Sequence, residues 1–172
     1  GGAFWWGALS CNPEDYIRLW RWTVAYMYAS DVHNLLYAYS TDIFKSEEEF
    51  MLRYPGDEWV DIMGWDAYHR PQDWDFLAGM ERMAKTVSAL ASEHGKLAAL
   101  TETGLESVYL ENWWTEYLLP SVRGRDLCWV LLWRNSQKME DHFFAPFKGH
   151  KSEADFNEMV GQKDILVLND LN

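Results

Sequence analysis

The stretch LAALTETG, residues 97–104, decides how the rest of the chain is read. Leu97, Ala98, Ala99 and Leu100 are apolar and lead into Thr101, Glu102, Thr103 and Gly104. A short apolar run of this kind suits a strand buried on both faces. A carboxylate at the carboxyl end of such a strand is unusual, because Asp and Glu are disfavoured in strands and costly to bury without partners. Gly104 is expected to let the chain turn sharply away. In a barrel of alternating strands and helices, a carboxylate placed there points into the active-site face. At a strand that simply ends in solvent it has no such meaning.

The same pattern recurs on either side. HNLLYAYS (33–40) has an apolar centre at Leu35, Leu36, Tyr37 and Ala38, then turns polar toward Asp42. VDIMGWDAYHRP (60–71) is strand-like at Val60, Ile62 and Met63. Its Gly64 allows close approach of a neighbouring backbone, and Trp65, Asp66 and Tyr68 cluster at its end. LCWVLLWRN (127–135) is apolar and ends in Trp133, Arg134 and Asn135.

Helical patterns separate these runs. Asn12 is an expected N-cap, followed by Pro13 and the acidic Glu14 and Asp15. Tyr16, Leu19, Trp20, Thr23 and Met27 recur at helical spacing as a buried stripe. SEEEFMLRY gives a short acidic helix, with Ser46 and Glu49 at capping-box spacing and a stop before Pro55. A long helix over 73–93 carries Phe76, Met80, Met83, Val87 and Leu90, and stops at His94-Gly95. NWWTEYLLP predicts a helix that breaks at Pro120. SEADFNEMVGQ predicts one capped by Ser152. The tail DILVLNDLN reads as a short strand or as a packed extension.

Strands separated by helices pair in parallel. The alternation, with functional residue types at strand carboxyl ends, fits a TIM-type barrel or a doubly wound sheet. Neither a GxGxxG fingerprint nor a Walker P-loop occurs, which disfavours the nucleotide-binding sheet. A TIM barrel takes eight strands and typically ~250 residues. Four strands in 172 residues look like half of one, folded as a single domain over 1–172.

Composition narrows the function. Eleven Trp, nine Tyr and eight Phe exceed what an average core needs, and several lie beside strand ends. Stacked rings are a common floor for sugars. In GGAFWWGALS (1–10), Phe4, Trp5 and Trp6 read as such a platform or as a plug on the core. A net charge of −12 repels phosphate backbones and argues against nucleic acid. Cys11 and Cys128 have no metal spacing, and whether they pair is open. No run approaches the roughly 18 apolar residues of a membrane span. The chain opens without Met or signal peptide and reads as a piece of something longer.

Asp66, Tyr68, Glu102, Trp133 and Arg134 at the strand ends suit one reaction class. Glycoside hydrolysis uses two carboxylates flanking the scissile bond. A tyrosine hydroxyl can orient one of them, and rings provide the sugar floor. Each residue also has a structural reading: Asp66 on backbone amides, Tyr68 as a packed ring, Arg134 in an ion pair.

In these blocks the sequence resembles the carboxyl-terminal half of glycoside hydrolase family 26, the β-mannanase family. The shared stretches are GGAFWWG, LWRWTV, HNLLYAYS, YPGDEWVDIMGWDAY, LTETG, WWTEYLLP, WVLLWRN, HFFAPFKGH and SEADF. The resemblance implies a (β/α)8 TIM barrel, here roughly its second half (strands 5–8 with their helices). It implies hydrolysis of internal β-1,4 bonds in β-mannan or manno-oligosaccharides with retention of configuration; no cofactor is expected, and no metal-ligating residues are read in the sequence. It makes Glu102 of TETG the nucleophile and Tyr68 of WDAY its hydrogen-bonding partner. Trp133 becomes a sugar platform beside the cleaved bond, and Arg134 a contact to the next sugar on the non-reducing side. Asp66 becomes a support or sugar contact, and Trp5 and Trp6 complete the candidate binding residues.

The sequence also departs from the family. Its general acid/base Glu lies at the end of the fourth barrel strand, just before the stretch that GGAFWWG resembles, and this chain begins after it. Ala3 stands where an aromatic leaving-side contact is expected. The isolated chain is therefore expected to be inactive or nearly so, and to associate through its cut face with the missing amino-terminal half. The alternatives are a hydrolase of xylan or mixed-linkage glucan, or a non-catalytic carbohydrate-binding protein. A polymeric substrate implies a secreted, periplasmic or cell-surface protein.

Overall fold

The computed structural model describes residues 4–73, 75–167 and 170. Ala3, expected to weaken a leaving-side sugar contact, lies outside the described residues. So do Trp74 and, in the tail, Leu168, Asn169, Leu171 and Asn172.

Strands β1 (Ala38–Thr41), β2 (Ile62–His69), β3 (Leu97–Leu105) and β4 (Leu127–Leu132) form one sheet in chain order. Every neighbouring pair is parallel. This is the order of consecutive barrel strands, each returned by an intervening helical segment. Helices α1 (Pro13–Ala29), α2 (Glu47–Met51), α3 (Phe76–Glu93), α4 (Leu119–Val122) and α5 (Glu153–Val160) supply the other layer.

The core lies between β2–β3 and α3. The expected stripe of α3 (Phe76, Met80, Met83, Val87 and Leu90) is buried against Met63, Trp65 and Leu100. Each fully buried side chain of this size contributes roughly 1.5–3 kcal/mol. Trp65 has no exposure and belongs to this layer rather than to the functional end of its strand.

β1 is shorter than HNLLYAYS suggested. Leu35 and Leu36, its expected centre, are 44% and 70% exposed. Among the described strands β1 pairs with β2 alone, so nothing covers its apolar lead-in. The lead-in is instead tied at Tyr37. Its N–H donates to Asp61 Oδ2 at 2.8 Å, and its carbonyl accepts from Asp61 and Ile62.

Helix α1 starts as expected, with Asn12 Oδ1 accepting from the Asp15 N–H at 2.9 Å. Its inward line runs through Tyr16, Trp20, Val24 and Met27; Thr23 is exposed and its hydroxyl bonds Leu19 O. A second line faces outward, where Trp22 and Tyr26 stack at 5.4 Å. At α2, the Glu49 N–H donates to Ser46 Oγ while Glu49 Oε2 accepts from the Lys45 N–H, a near-reciprocal cap.

Pro120 does not break its helix. A π-turn over Trp114–Leu118 runs into α4, where Pro120 occupies the first turn and needs no N–H partner. Ser152 stands at the N-cap of α5 without capping through its side chain. Its hydroxyl accepts from the Trp114 indole instead, and Asp155 takes the Trp114 and Thr115 N–H groups. The tail packs partly through Ile165 and forms no strand among its described residues.

His69 closes β2 stacked face to face on Phe76, 4.2 Å between ring centres. Its Nδ1 accepts from the Trp113 indole at 3.0 Å. Burial pushes its pKa below the ordinary 6.5. The folded form then binds fewer protons than the unfolded chain, so this contribution is full above the ordinary His range and is lost as pH falls through about 6.5. The urea midpoint of the wild type should drop between about pH 7.5 and about pH 5.5 more than that of His69→Asn, which keeps an acceptor for Trp113. Parallel pH dependence in the two proteins would contradict this.

Candidate active site

A strand alternates sides at every residue, so one inserted residue re-aims all that follow. Leu100 pairs with Trp65, but the next pair is Glu102 with Asp66. Thr101 is the extra residue, a β-bulge in a parallel ladder. Bulges of this kind redirect side chains next to active sites. The contacts show the result: Thr101 Oγ1 lies 2.7 Å from Asp66 Oδ1, and the Tyr68 hydroxyl donates to Glu102 Oε2 at 2.7 Å. Thr101 and Glu102 thus share a face with Asp66 and Tyr68.

The Tyr68 phenol is pushed well above its ordinary pKa of 10, first by burial, then by the hydrogen bond to Glu102 and the charges of Glu102 and Asp66. It remains a proton donor throughout the neutral range. Among the described residues Glu102 Oε1 has no hydrogen-bond partner, so one oxygen is held and the other is free.

The held geometry is backed by a loop that the sequence did not single out for this role. Phe144 packs edge-on to Tyr68, 5.6 Å between ring centres. It sits over Gly104, where an added Cβ would lie 2.5 Å from Phe144 Cδ1. Gly104 therefore makes room for Phe144; the chain does not turn there but continues to Leu105 and turns at Glu106–Val108. Asn135 fixes the loop: its Oδ1 accepts from the Phe144 and Ala145 N–H groups, and its amide donates to Ala145 O. The quoted blocks WRN and HFFAP contained both residues, but nothing in their spacing announces the contact.

Tyr68 lines two cavities. One, of about 950 Å³, is also lined by Arg70, Glu106, Tyr109, Trp133 and His142. The other, of about 800 Å³, adds Asp42, Asp73 and Arg82. Glu106 and His142 pair at 2.6 Å on the wall of the first. Trp133 is half-buried, and its backbone N–H donates to Thr103 O at 3.0 Å. The exposed Arg134 guanidinium lies 5.9 Å from the centre of that ring.

The structure thus brings Asp66, Tyr68, Glu102 and Trp133 together, with Arg134 beside Trp133. Trp6, stacked on Phe4 at 4.7 Å, lines a smaller hollow with Ser40 and Asp42. Trp5, 68% exposed, packs edge-on to Trp6 at 5.3 Å, and the two line another hollow with Tyr16 and Trp20. Asp66 is held by hydroxyls rather than backbone amides. Cys11 and Cys128 are free thiols. Among the described residues no cluster of three His, Cys, Asp or Glu could hold a metal, and no helix is long and apolar enough to cross a membrane.

A sequence model of glycosyl hydrolase family 26 matches residues 1–117. The mannan endo-1,4-beta-mannosidase of Bifidobacterium adolescentis is 32% identical over an alignment covering 97% of this chain and 19% of that protein. The solved family 26 beta-mannanase of Bacteroides ovatus superposes with a TM-score of 0.94 at 36% identity, over 99% of this chain and 49% of the other. The endo-beta-1,4-mannanase of Cellulomonas fimi gives 0.85 at 29% identity, covering 40% of its chain. The chain spans about a fifth of that curated relative and half or less of these solved chains. Its four parallel strands and their helices are a partial TIM barrel.

The Tyr68–Glu102 bond is testable by alkaline difference absorbance. Comparison with Tyr68→Phe should show no Tyr68 ionisation below about pH 11. Glu102→Gln removes the neighbouring charge and should bring Tyr68 ionisation to lower pH. An unchanged Tyr68 titration in Glu102→Gln would contradict the pairing.

Proposed function

The chain belongs to glycosyl hydrolase family 26, and from that premise we propose that Glu102 is the nucleophile of a retaining endo-β-1,4-mannanase. The observation that carries this reading is the Tyr68–Glu102 hydrogen bond, with Tyr68 and Trp133 lining one cavity. Tyr68 holds Oε2 and leaves Oε1 to attack the anomeric carbon. The Oε1–C1 bond forms as the glycosidic bond breaks, and the departing oxygen takes a proton from a general acid. Water then attacks C1 from the face the leaving oxygen vacated, gives its proton to the same group acting as base, and the C1–Oε1 bond breaks to free Glu102.

The acid/base belongs to the barrel half these residues do not include. The two carboxylates must flank the scissile bond. Asp66 lies on the strand next to Glu102, in the same wall, with Oδ1 already engaged. Without its acid/base the chain forgoes a factor of roughly 10²–10⁴, which leaves it nearly inactive alone. The missing half is its natural partner. The Trp22–Tyr26 face of α1 and the exposed Trp129 and Leu131 of β4 are apolar surfaces that half would cover.

Tyr68 and Arg70 border two cavities, and a glycan chain long enough to occupy both would be cut internally. Trp133 is the platform beside the cleaved bond, with Arg134 reaching the next sugar on the non-reducing side. Mannan, rather than xylan or mixed-linkage glucan, is the substrate favoured by the activities named for the relatives. A polymer of this size places the enzyme outside the cytoplasm, secreted, periplasmic or on the cell surface.

The test supplies the amino-terminal barrel half in trans and assays mannan, xylan and mixed-linkage glucan. Mannan should be cut internally only when both halves are present. Glu102→Ala should lose on the order of 10⁴ in rate or more. Azide should restore turnover of an activated mannobioside to that variant as the α-azide, the product of attack on the vacated face. Mannan cleavage by Glu102→Ala within about tenfold of wild type would overturn the assignment.

A further inference from the structure

Behind Glu102, side chains from three strands meet in one knot. Ser40 Oγ of β1 donates to Asp66 Oδ1 of β2 at 2.9 Å and also contacts Thr101 Oγ1 of β3. Thr101 Oγ1 reaches the same Asp66 oxygen at 2.7 Å and the Trp65 carbonyl at 2.8 Å. Trp65 is where the β2–β3 register slips. The Thr101 hydroxyl therefore sits on the carbonyl at the bulge. Its methyl fills the space over Gly64, where an added Cβ would come within 2.5 Å of Thr101 Cγ2. Gly64 thus admits a side chain from β3, as well as the Ala99 carbonyl, whose oxygen would lie 3.1 Å from that added Cβ.

Two alignments of β3 compete. Drawn back into the ladder, Thr101 would restore strict alternation and turn Glu102 toward the helix layer, where its charge would be buried. With Thr101 extruded, Glu102 meets Tyr68. The β3–β4 ladder slips over the same stretch, between Leu100 and Thr103, so both neighbouring strands are paired to the extruded form. The hydroxyl contacts of Thr101 favour it: one is to the Trp65 carbonyl, and the others exist only while Asp66 and Ser40 are in place.

We propose that Thr101, Ser40 and Asp66 are positioning residues that hold the β3 bulge and thereby aim Glu102 at Tyr68 and at the reacting carbon. The aim toward Tyr68 stands on geometry alone; the consequence for rate rests on Glu102 being the nucleophile. A displacement near 1 Å at a reacting group is enough to cost about 10²-fold.

The test compares Thr101→Val, which keeps the shape and removes the hydroxyl, with Thr101→Ser, which keeps the hydroxyl. Gly64→Ala is the second route to the same displacement. Two readouts are made on the chain itself. The first is the alkaline titration of Tyr68, which requires no sugar. In Thr101→Val and Gly64→Ala, Tyr68 should ionise at lower pH than in wild type, while Thr101→Ser should match wild type. The second is covalent labelling by a 2-deoxy-2-fluoro-β-mannobiosyl fluoride. Here the Glu102 oxygen bonds to C1 as fluoride leaves with its electron pair, and no general acid is needed. The labelling rate constant should fall about 10- to 100-fold in Thr101→Val, with reagent affinity within about threefold and Thr101→Ser near wild type.

An unchanged Tyr68 titration in both Thr101→Val and Gly64→Ala would overturn the inference. So would Thr101→Ser behaving like Thr101→Val, since bulk rather than the hydroxyl would then matter. Labelling of wild type at another residue, or its absence, with the Tyr68 shift still present, would overturn the nucleophile assignment and leave the positioning role standing.

Discussion

A carboxylate inside a barrel must be held by something, and here Tyr68 holds Glu102 with one hydrogen bond at 2.7 Å. The phenol is kept protonated by burial and by the carboxylate it serves, so donor and acceptor roles are fixed rather than shared. The surrounding architecture keeps those two groups in register. The parallel β2–β3 pair brings their strands side by side, the bulge at Thr101 turns Glu102 inward, and Gly104 leaves room for Phe144 to brace Tyr68.

Support reaches the pair from both directions along the chain. From the amino-terminal side, Ser40 and Asp66 tie β1 and β2 to Thr101. From the carboxyl-terminal side, Asn135 anchors the loop that carries Phe144, directly after Trp133 and Arg134, which follow the last strand. Four consecutive strand–helix units thus contribute to one point at the carboxyl ends of the strands, where barrels of this kind assemble their chemistry. Tyr68 also borders two cavities, one of them lined by Trp133.

Much of this was legible in the residues. The four strands, the stripe of α3 and the cap at Asn12 follow from periodicity and end signals, which are local. Glu102 and Tyr68 stood out because polar groups at the ends of apolar strands need a reason. The bulge was not legible. TETG reads as regular alternation whichever residue is extruded, and only the partner strand reveals that Thr101 is extra. The shortened β1, the exposed Leu35 and Leu36 and the passage of α4 through Pro120 were hidden for the same kind of reason. Each depends on what lies beside the segment, not on the segment. Phe144 and Asn135 join residues distant in sequence from Tyr68 and Gly104, which no local pattern encodes.

The measurement that bears most directly on the account is a crystal structure of the chain after reaction with a 2-fluoro-mannosyl fluoride. The account predicts sugar C1 bonded to a Glu102 carboxylate oxygen, with Tyr68 still hydrogen-bonded to the other oxygen and the sugar beside Trp133. A sugar bonded to a different carboxylate, or Tyr68 and Glu102 separated beyond hydrogen-bonding distance, would contradict it.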